Sequence, residues 1–300
     1  MRFTAADLNA LPRPEAIEAL DYEAMLDDYR ARLIERLTIA GEDYDVGRLE
    51  TDPGIIIGEA VQYQRLIDRA RVNDAVRAVL VLASWGSNLD ALGARVETAR
   101  LPDESDDRYR YRIVMAYEAL ATTGTYGGYQ YFALGASTDV HTCTVYGPES
   151  GMCEPGQALI VVAARNTATG QPEPASTGLT DLVHAECARR DRRPLTDQVI
   201  VRSARLRPYN VVAQMVVRSH IDPAIARQTA ERRIVAYTQS VSIIGERVSR
   251  EGIVAALAAD GEGRVMVDAM TLVEPTADIV PAGDEVPWCT SVNVTARARE

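Results

Sequence analysis

Between residues 50 and 93 the chain reads ETDPGIIIGEAVQYQRLIDRARVNDAVRAVLVLASWGSNLDALG, with apolar positions recurring at helical spacing. Ile56, Ile57, Ala60, Val61, Leu66, Ile67, Ala70, Val76, Val79, Leu80 and Leu82 make a broad stripe. Gln62, Arg65, Asp68, Arg69, Arg71, Asn73, Asp74 and Arg77 supply a polar face. Thr51 and Asp52 read as an N-cap, and Pro53 takes the first helical position, where its missing N–H costs nothing. No breaker follows until Gly86, a natural left-handed stop after Ser84. Ser87 or Asn88 then caps a short helix, LDALG. A helix from Pro53 to Ser84 spans roughly 48 Å at about 1.5 Å per residue. This is a spine that packs on its own chain, on a partner, or on both.

Around it, residues 1–20 form a proline-containing arm with Leu11, Ile17 and Leu20 available for docking. Residues 21–38 carry Leu26, Tyr29, Leu33 and Leu37 on one side of a helix, and the polar loop GEDYDVGRLE leads to the spine. A third long helix, SDDRYRYRIVMAYEAL, begins after Ser105, with Asp106 and Asp107 at its positive end. TTGTYGG breaks it, and YGGYQYFALGAS is a further short helix.

The pattern changes beyond residue 136. DVHTCTVYG alternates like a strand, GPESGMCEPG is a turn and QALIVVAAR is a buried strand. NTATGQPEPASTG reads as a loop, TGLTDLVHAECARRD as an amphipathic helix and PLTDQVIVRSARL as a strand, giving β-β-α-β. RPYNVVAQMVVR, DPAIARQTAERRIVAYTQS, SREGIVAALAADG, GRVMVDAMTL and PWCTSVNVTA give β-α-α-β-β, with Asp222 and Pro223 opening the first of those helices. The expected fold is α+β: a helical region over 1–136 with its long spine, then two small α+β modules over 137–206 and 207–300.

Composition narrows the function. A net charge of −11 argues against nucleic acid as the main partner. Residues 1–60 hold 14 acids against 6 Arg, while residues 201–250 hold 9 Arg against 3 acids. Such opposite regions suit contact between subunits, or are two independent solvated faces. There is no lysine, which removes Schiff-base and P-loop chemistry. No apolar run approaches the roughly 18 residues of a membrane span, and the first residues do not read as a signal peptide, so no membrane partner and folding in the cytoplasm are expected.

Candidate chemistry is sparse. His141, Cys143 and Cys153 lack a fourth ligand and the tight spacing of a structural zinc site, so no metal is expected. No nucleophile elbow, dinucleotide fingerprint or phosphate loop occurs, so no catalytic residue or cofactor is assigned. GEGRV (261–265) reads as a turn feeding a strand. Cys143 and Cys153 flank a hairpin tip; free thiols are the default there, and a disulfide is the alternative in an oxidising setting. The acidic run DESDD (103–107) reads as helix capping. RYRYR reads as packing by Tyr109 and Ile113 with surface charge on Arg108 and Arg112. The Arg-rich ECARRDRRP (186–194) is a helix end that could also hold an acidic partner. Trp85 is expected in the core and Trp288 at an element end.

Over nearly its whole length the sequence resembles the baseplate assembly protein J family of contractile-tailed phages and phage-derived tailocins. The resemblance lies in LPRPEAIEALDYEAMLDDYRARL, the spine, ESDDRYRYRI, RPLTDQVIVRSARLRPYNV and ADIVPAGDEVPWCTSVNV. It implies a non-enzymatic wedge subunit in the virion's tail baseplate. Two copies per wedge would form an inner ring around the hub, whose widening releases sheath contraction. Implied partners are further copies of the chain, a tail protein I-like wedge subunit, a lysozyme-fold sheath initiator and hub or spike proteins. HTCTVYGPESGMCEPG and NTATGQPEPASTG depart from the family pattern. On the spine, Ile56, Ile57, Val61, Leu66 and Val76 are the expected apolar contacts to a partner. Arg65, Arg69, Arg71 and Arg77 are the expected polar ones. The competing readings are an envelope-degrading tail hydrolase and a non-viral adaptor.

Overall fold

A computed structural model of the chain describes residues 16–42, 51–121, 124–219, 221–260 and 264–299. Leu11, most of the GEDYDVGRLE loop and the tip of the GEGRV turn lie outside the described residues. Contacts divide the chain into two units: Met1–Arg100 with Ser105–Val114, and Leu101–Glu104 with Met115–Glu300.

In the first unit, α1 (Tyr22–Ile39) and α2 (Pro53–Ala78) form an antiparallel hairpin. Asp21 caps α1 by accepting from Ala24 N at 3.1 Å. Asp52 caps α2 by accepting from Gly54 N at 2.8 Å and Ile55 N at 3.3 Å, with Pro53 at the first turn. Tyr22 Oη donates to Glu59 O at 3.3 Å and Tyr29 Oη to Gly54 O at 2.9 Å. Gly58 lets the Tyr29 ring lie on the helix: a Cβ there would meet Tyr29 Cε1 at 1.9 Å.

The spine is shorter than its pattern predicts, at 26 residues or roughly 39 Å. Its end is set from elsewhere in the chain. Arg110 Nε donates to Val81 O at 2.9 Å and Arg110 Nη2 to Ser84 O at 2.8 Å, while Ala83 N and Ser84 N both turn back to Leu80 O. The Leu80–Ser84 stretch thereby becomes a turn that places Val81 against Leu89, Tyr109 and Ile113. α3 (Gly86–Ala94) follows; Gly86, at φ +55°, opens this helix instead of stopping the spine, and Trp85 stands at the cap position expected for Ser87 or Asn88. Trp85 is 55% exposed, contrary to its expected core position, because Leu89 and Val81 fill that core. α4 (Asp106–Ala119) starts where Ser105 Oγ accepts from Arg108 N at 3.4 Å.

The second unit opens with α5 (Tyr126–Ala136), packed on β1 (Val140–Tyr146). β2 (Gln157–Arg165) is the buried centre of a four-stranded sheet. β1 pairs with it antiparallel. Its other side is shared by β4 (Gln198–Ser203), parallel along Gln157–Val162, and β3 (Pro172–Pro174), antiparallel at Ala163–Arg165. The predicted loop thus contains a short strand. α6 (Thr177–Cys187) is the crossover between β2 and β4.

Ala204 alone separates β4 from β5 (Arg205–Val217), so one extended stretch serves two sheets. β5 is the middle of the second sheet, antiparallel to β6 (Val267–Glu274) and parallel to β7 (Glu285–Ala298). α7 (Pro223–Ser240) and α8 (Arg250–Ala258) cover one face. Val211, Ala213, Met215 and Val217 pack there against Ala226, Ala230, Ile234, Ile253 and Leu257. The other face presents Asn210, Gln214, Thr271, Asn293 and Thr295. The predicted β-α-α-β-β order holds.

Candidate partner interface

The hairpin faces of α2 follow from its spacing. Ile55, Gly58, Gln62, Leu66, Arg69, Asn73 and Val76 recur at steps of three and four, and this row turns inward. Ile55, Gly58, Gln62 and Asn73 are buried; Leu66 and Val76 are half-buried. Gln62 and Asn73 had the polar face as their expected place. Asn73, 3% exposed, instead accepts from Glu18 N and donates to Glu18 O, both at 3.0 Å. A buried amide satisfied by two backbone groups pins the segment before α1 to the C-terminal part of the spine. The signal was the three-four spacing itself, which passes through these two polar residues.

The expected apolar contacts separate accordingly. Ile56, Ile57 and Val61 are 52%, 62% and 48% exposed. At about 100° per residue, Ile57, Val61 and Val72 lie on one flank of the packed row, and Ile56 and Tyr63 on the other. Gln64 and Arg71 lie between them on the outer face. Among the Arg residues, Arg69 Nε pairs with Glu18 at 2.8 Å and Arg77 Nη1 with Asp74 at 2.9 Å. Arg65 and Arg71 are exposed, with Arg65 Nη1 reaching only Gln62 Oε1 at 3.4 Å.

At the start of α4 the cap is Ser105, and the carboxylates Asp106 and Asp107 form ion pairs with Arg100 and Arg110. Arg100 bonds Asp90 and Asp106, each at 2.7 Å, and lies over the Tyr109 ring at 4.5 Å. The Gly86 N–H and the Arg100 guanidinium hold the Asp106 carboxyl below its ordinary range. Arg112 is buried, contrary to its expected surface role, with Nη1 donating to Ala99 O at 3.3 Å.

In the second unit, Cys143 and Cys153 are free thiols. Cys143 pairs with Val162 across the strands, on the face where its Sγ approaches Gln130 O at 3.7 Å. Cys153 packs with Leu159 and Val161, on the opposite face of the same sheet. The Arg cluster after α6 is engaged at home: Arg192 with Glu186, Arg189 with Asp191 and Arg193 Nη1 with Asp197 O at 2.7 Å.

Burial raises the titration of the Cys187 thiol and of the Tyr129 and Tyr209 phenols, groups held within packing. Two shallow depressions, of about 190 and 390 Å³, have as ionisable lining Arg297 in one and Arg250 with Glu251 in the other. Among the described residues no group of three or more His, Cys, Asp or Glu is placed to hold a metal ion. No helix among them is long and apolar enough to cross a membrane.

Two family models match the chain: the Baseplate J-like N-terminal domain over residues 50–107, and the Baseplate J-like protein C-terminal domain over residues 209–295. Baseplate protein J of Escherichia phage P2 is 32% identical over 306 residues, covering 96% of each chain. The chain belongs to the baseplate J family. The first match takes in α2, α3 and the start of α4; the second takes in β5, both covering helices, β6 and most of β7. The two family matches therefore fall on the spine and on the three-stranded sheet with its covering helices.

Proposed function

We propose that this baseplate J-family chain is a structural, non-enzymatic wedge subunit of a contractile tail. In this reading it joins an inner baseplate ring around the hub, and the opening of that ring releases sheath contraction. The observation that carries the reading is the α1–α2 hairpin, a pair of helices whose spine leaves Ile56, Ile57 and Val61 about half exposed or more. A two-helix pair buries one face of each helix, and helices from another chain would complete the bundle. Each such side chain stabilises by about 1.5–3 kcal/mol when buried from full exposure, so the three together favour a partner.

Residues 1–136 are the part assigned to wedge partners, a second copy and a tail protein I-like subunit. The modules over 137–206 and 207–300 are assigned the lateral contacts. A lysozyme-fold sheath initiator and hub proteins complete the set of neighbours. The chain resides in the virion's tail baseplate after assembly in the host cytoplasm.

Arg65 and Arg71, exposed and without an ion pair among the described residues, are the polar contacts to test. The double change Arg65→Glu/Arg71→Glu should leave the chain folded and soluble but block incorporation into baseplates, read by co-purification with sheath and hub proteins. Normal incorporation of that variant, or clearing of peptidoglycan by the purified chain in zymography, would reject the reading.

A further inference from the structure

α5 packs on both β1 and α6, and each of those elements sends a cysteine against it. Cys143 of β1 donates from Sγ to Gln130 O at 3.7 Å. Cys187, the last residue of α6, donates from Sγ to Tyr129 O at 3.8 Å. Tyr129 and Gln130 are successive residues of α5, and successive carbonyl oxygens of an α-helix lie about 3–4 Å apart. The two sulfurs therefore rest on the same turn of one helix. Both residues are buried, Cys143 at 6% exposure and Cys187 at 0%. The chemistry of Cys187 reports the same neighbourhood. Burial raises its titration most, and the nearby Cys143 raises it further.

The other two thiols lie elsewhere. Cys153 is on the opposite face of the first sheet, against Leu159 and Val161. Cys289 belongs to β7 of the second sheet, with its Sγ 3.5 Å from Ser291 O. The pairing that the sequence offers, Cys143 with Cys153 across a hairpin tip, is blocked by the sheet between them. The fold brings Cys143 to Cys187 instead.

We propose that Cys143 and Cys187 form a disulfide that staples β1 to α6 once the chain leaves a reducing compartment. The oxidant is a low-molecular-weight disulfide. One protein thiolate attacks it and releases a first small thiol. The second protein thiolate then attacks the protein sulfur of that mixed disulfide and releases the other. In sum, the S–S bond of the small disulfide breaks and one protein S–S bond forms. Both protein thiol protons leave on the two small thiols, so the cysteine pair is oxidised and the small disulfide reduced.

Burial sets the timing. Both thiols are covered while α5 is seated. Its seat is fixed by the Tyr129 hydroxyl, which donates to Asp197 at 2.9 Å, and by the Gln130 amide, which donates to Cys143 O at 3.3 Å. The small disulfide enters only when α5 lifts, so the reaction is slow in the folded chain. A bond closing the loop from β1 to α6 removes conformations from the unfolded chain and so holds the first α+β module against unfolding. The inference rests on the proposed function only for the compartments: a pair kept reduced in the host cytoplasm and oxidised in released particles.

Purified full-length chain should be incubated with oxidised glutathione, alkylated and mapped by mass spectrometry without reduction. It should lose two thiols per chain and yield one peptide pair joined through Cys143 and Cys187. Cys143→Ala and Cys187→Ala should each abolish that pair, whereas Cys153→Ala and Cys289→Ala should leave it, with circular dichroism checking that each variant folds. The oxidised wild-type chain should unfold at a higher urea midpoint than the reduced one, and dithiothreitol should reverse the shift. Thiols that stay reduced in the folded wild-type chain, a linkage through Cys153 or Cys289, or an oxidised chain no more stable than the reduced one overturns the inference. Released particles should carry the linkage, and chain alkylated in host cells before lysis should not. Particles that contain the chain with both thiols reduced overturn the inference and leave the wedge reading standing. Linkage in the purified chain, with the chain itself missing from particles, removes the wedge reading alone.

Discussion

At Gly93 a Cβ would come within 1.9 Å of Tyr109 Oη and 2.7 Å of Thr98 O. The Tyr109 hydroxyl already donates to Thr98 O at 2.7 Å, so both neighbours are held and neither gives way cheaply. Gly93→Ala should therefore lower the stability of the Leu89–Tyr109–Ile113 cluster by about 1–3 kcal/mol, read by urea unfolding. Asp106 makes a second prediction. Its carboxylate accepts from Gly86 N at 3.0 Å and pairs with Arg100 at 2.7 Å, and both partners favour the charged form. The folded pKa therefore lies below the ordinary 3.8. The resulting stabilisation is fully present above that ordinary value and is lost as pH falls through it toward the folded one. Asp106→Asn should be less stable than wild type at neutral pH, and the gap should close below about pH 4 in urea melts across the range. A gap independent of pH would show that the amide fails for steric reasons.

Within α2 the decisive side chain is Asn73. Its two bonds to the Glu18 backbone tie the segment before α1 to the spine, helped by the Arg69–Glu18 pair. Asn73→Ala should cost about 1–3 kcal/mol locally, by leaving a half-buried peptide unpaired. Faster hydrogen exchange at Glu18 and in α1, with β5 unaffected, is the measurement that checks it. The same helix marks what could be read from sequence. The Asp52–Pro53 start, like the Asp222–Pro223 start of α7, is local chemistry and was legible. The end of α2 was not, because it is followed by a turn whose Val81 and Ser84 carbonyls are held by Arg110, tens of residues onward. The candidate face was half legible. Its exposed apolar residues stand in the sequence, but that Gln62 and Asn73 turn inward depends on α1 and Glu18. β3 and the full extent of β7 were hidden for a related reason: both are strands by virtue of pairing with distant partners, β2 and β5.

Across the whole chain, apolar burial is uneven. The second sheet and its two helices enclose a core running from Tyr209 to Val294, with a further cluster around Leu159, Val161 and Val286. The hairpin buries little besides Leu26 and Ile55, and it shows Ile56, Ile57, Tyr63 and Val72 outward. Ion pairs answer part of the charge of the two ends, as in Arg32 with Asp28, Arg205 with Asp284 and Arg247 with Asp278. Local opening free energy tracks buried contact, and segments that meet partners come from the weakly held end of that scale. Amides of residues 22–39 and 53–78 should therefore exchange fastest among the helices and strands, and those of β5 slowest. Adding the wedge partner should slow exchange along 53–78, most at the exposed flanks near Ile57, Val61 and Val72, and leave β5 as it was. If protection instead rises evenly over both units, binding stabilises the fold as a whole, and the spine is not the surface that the partner takes.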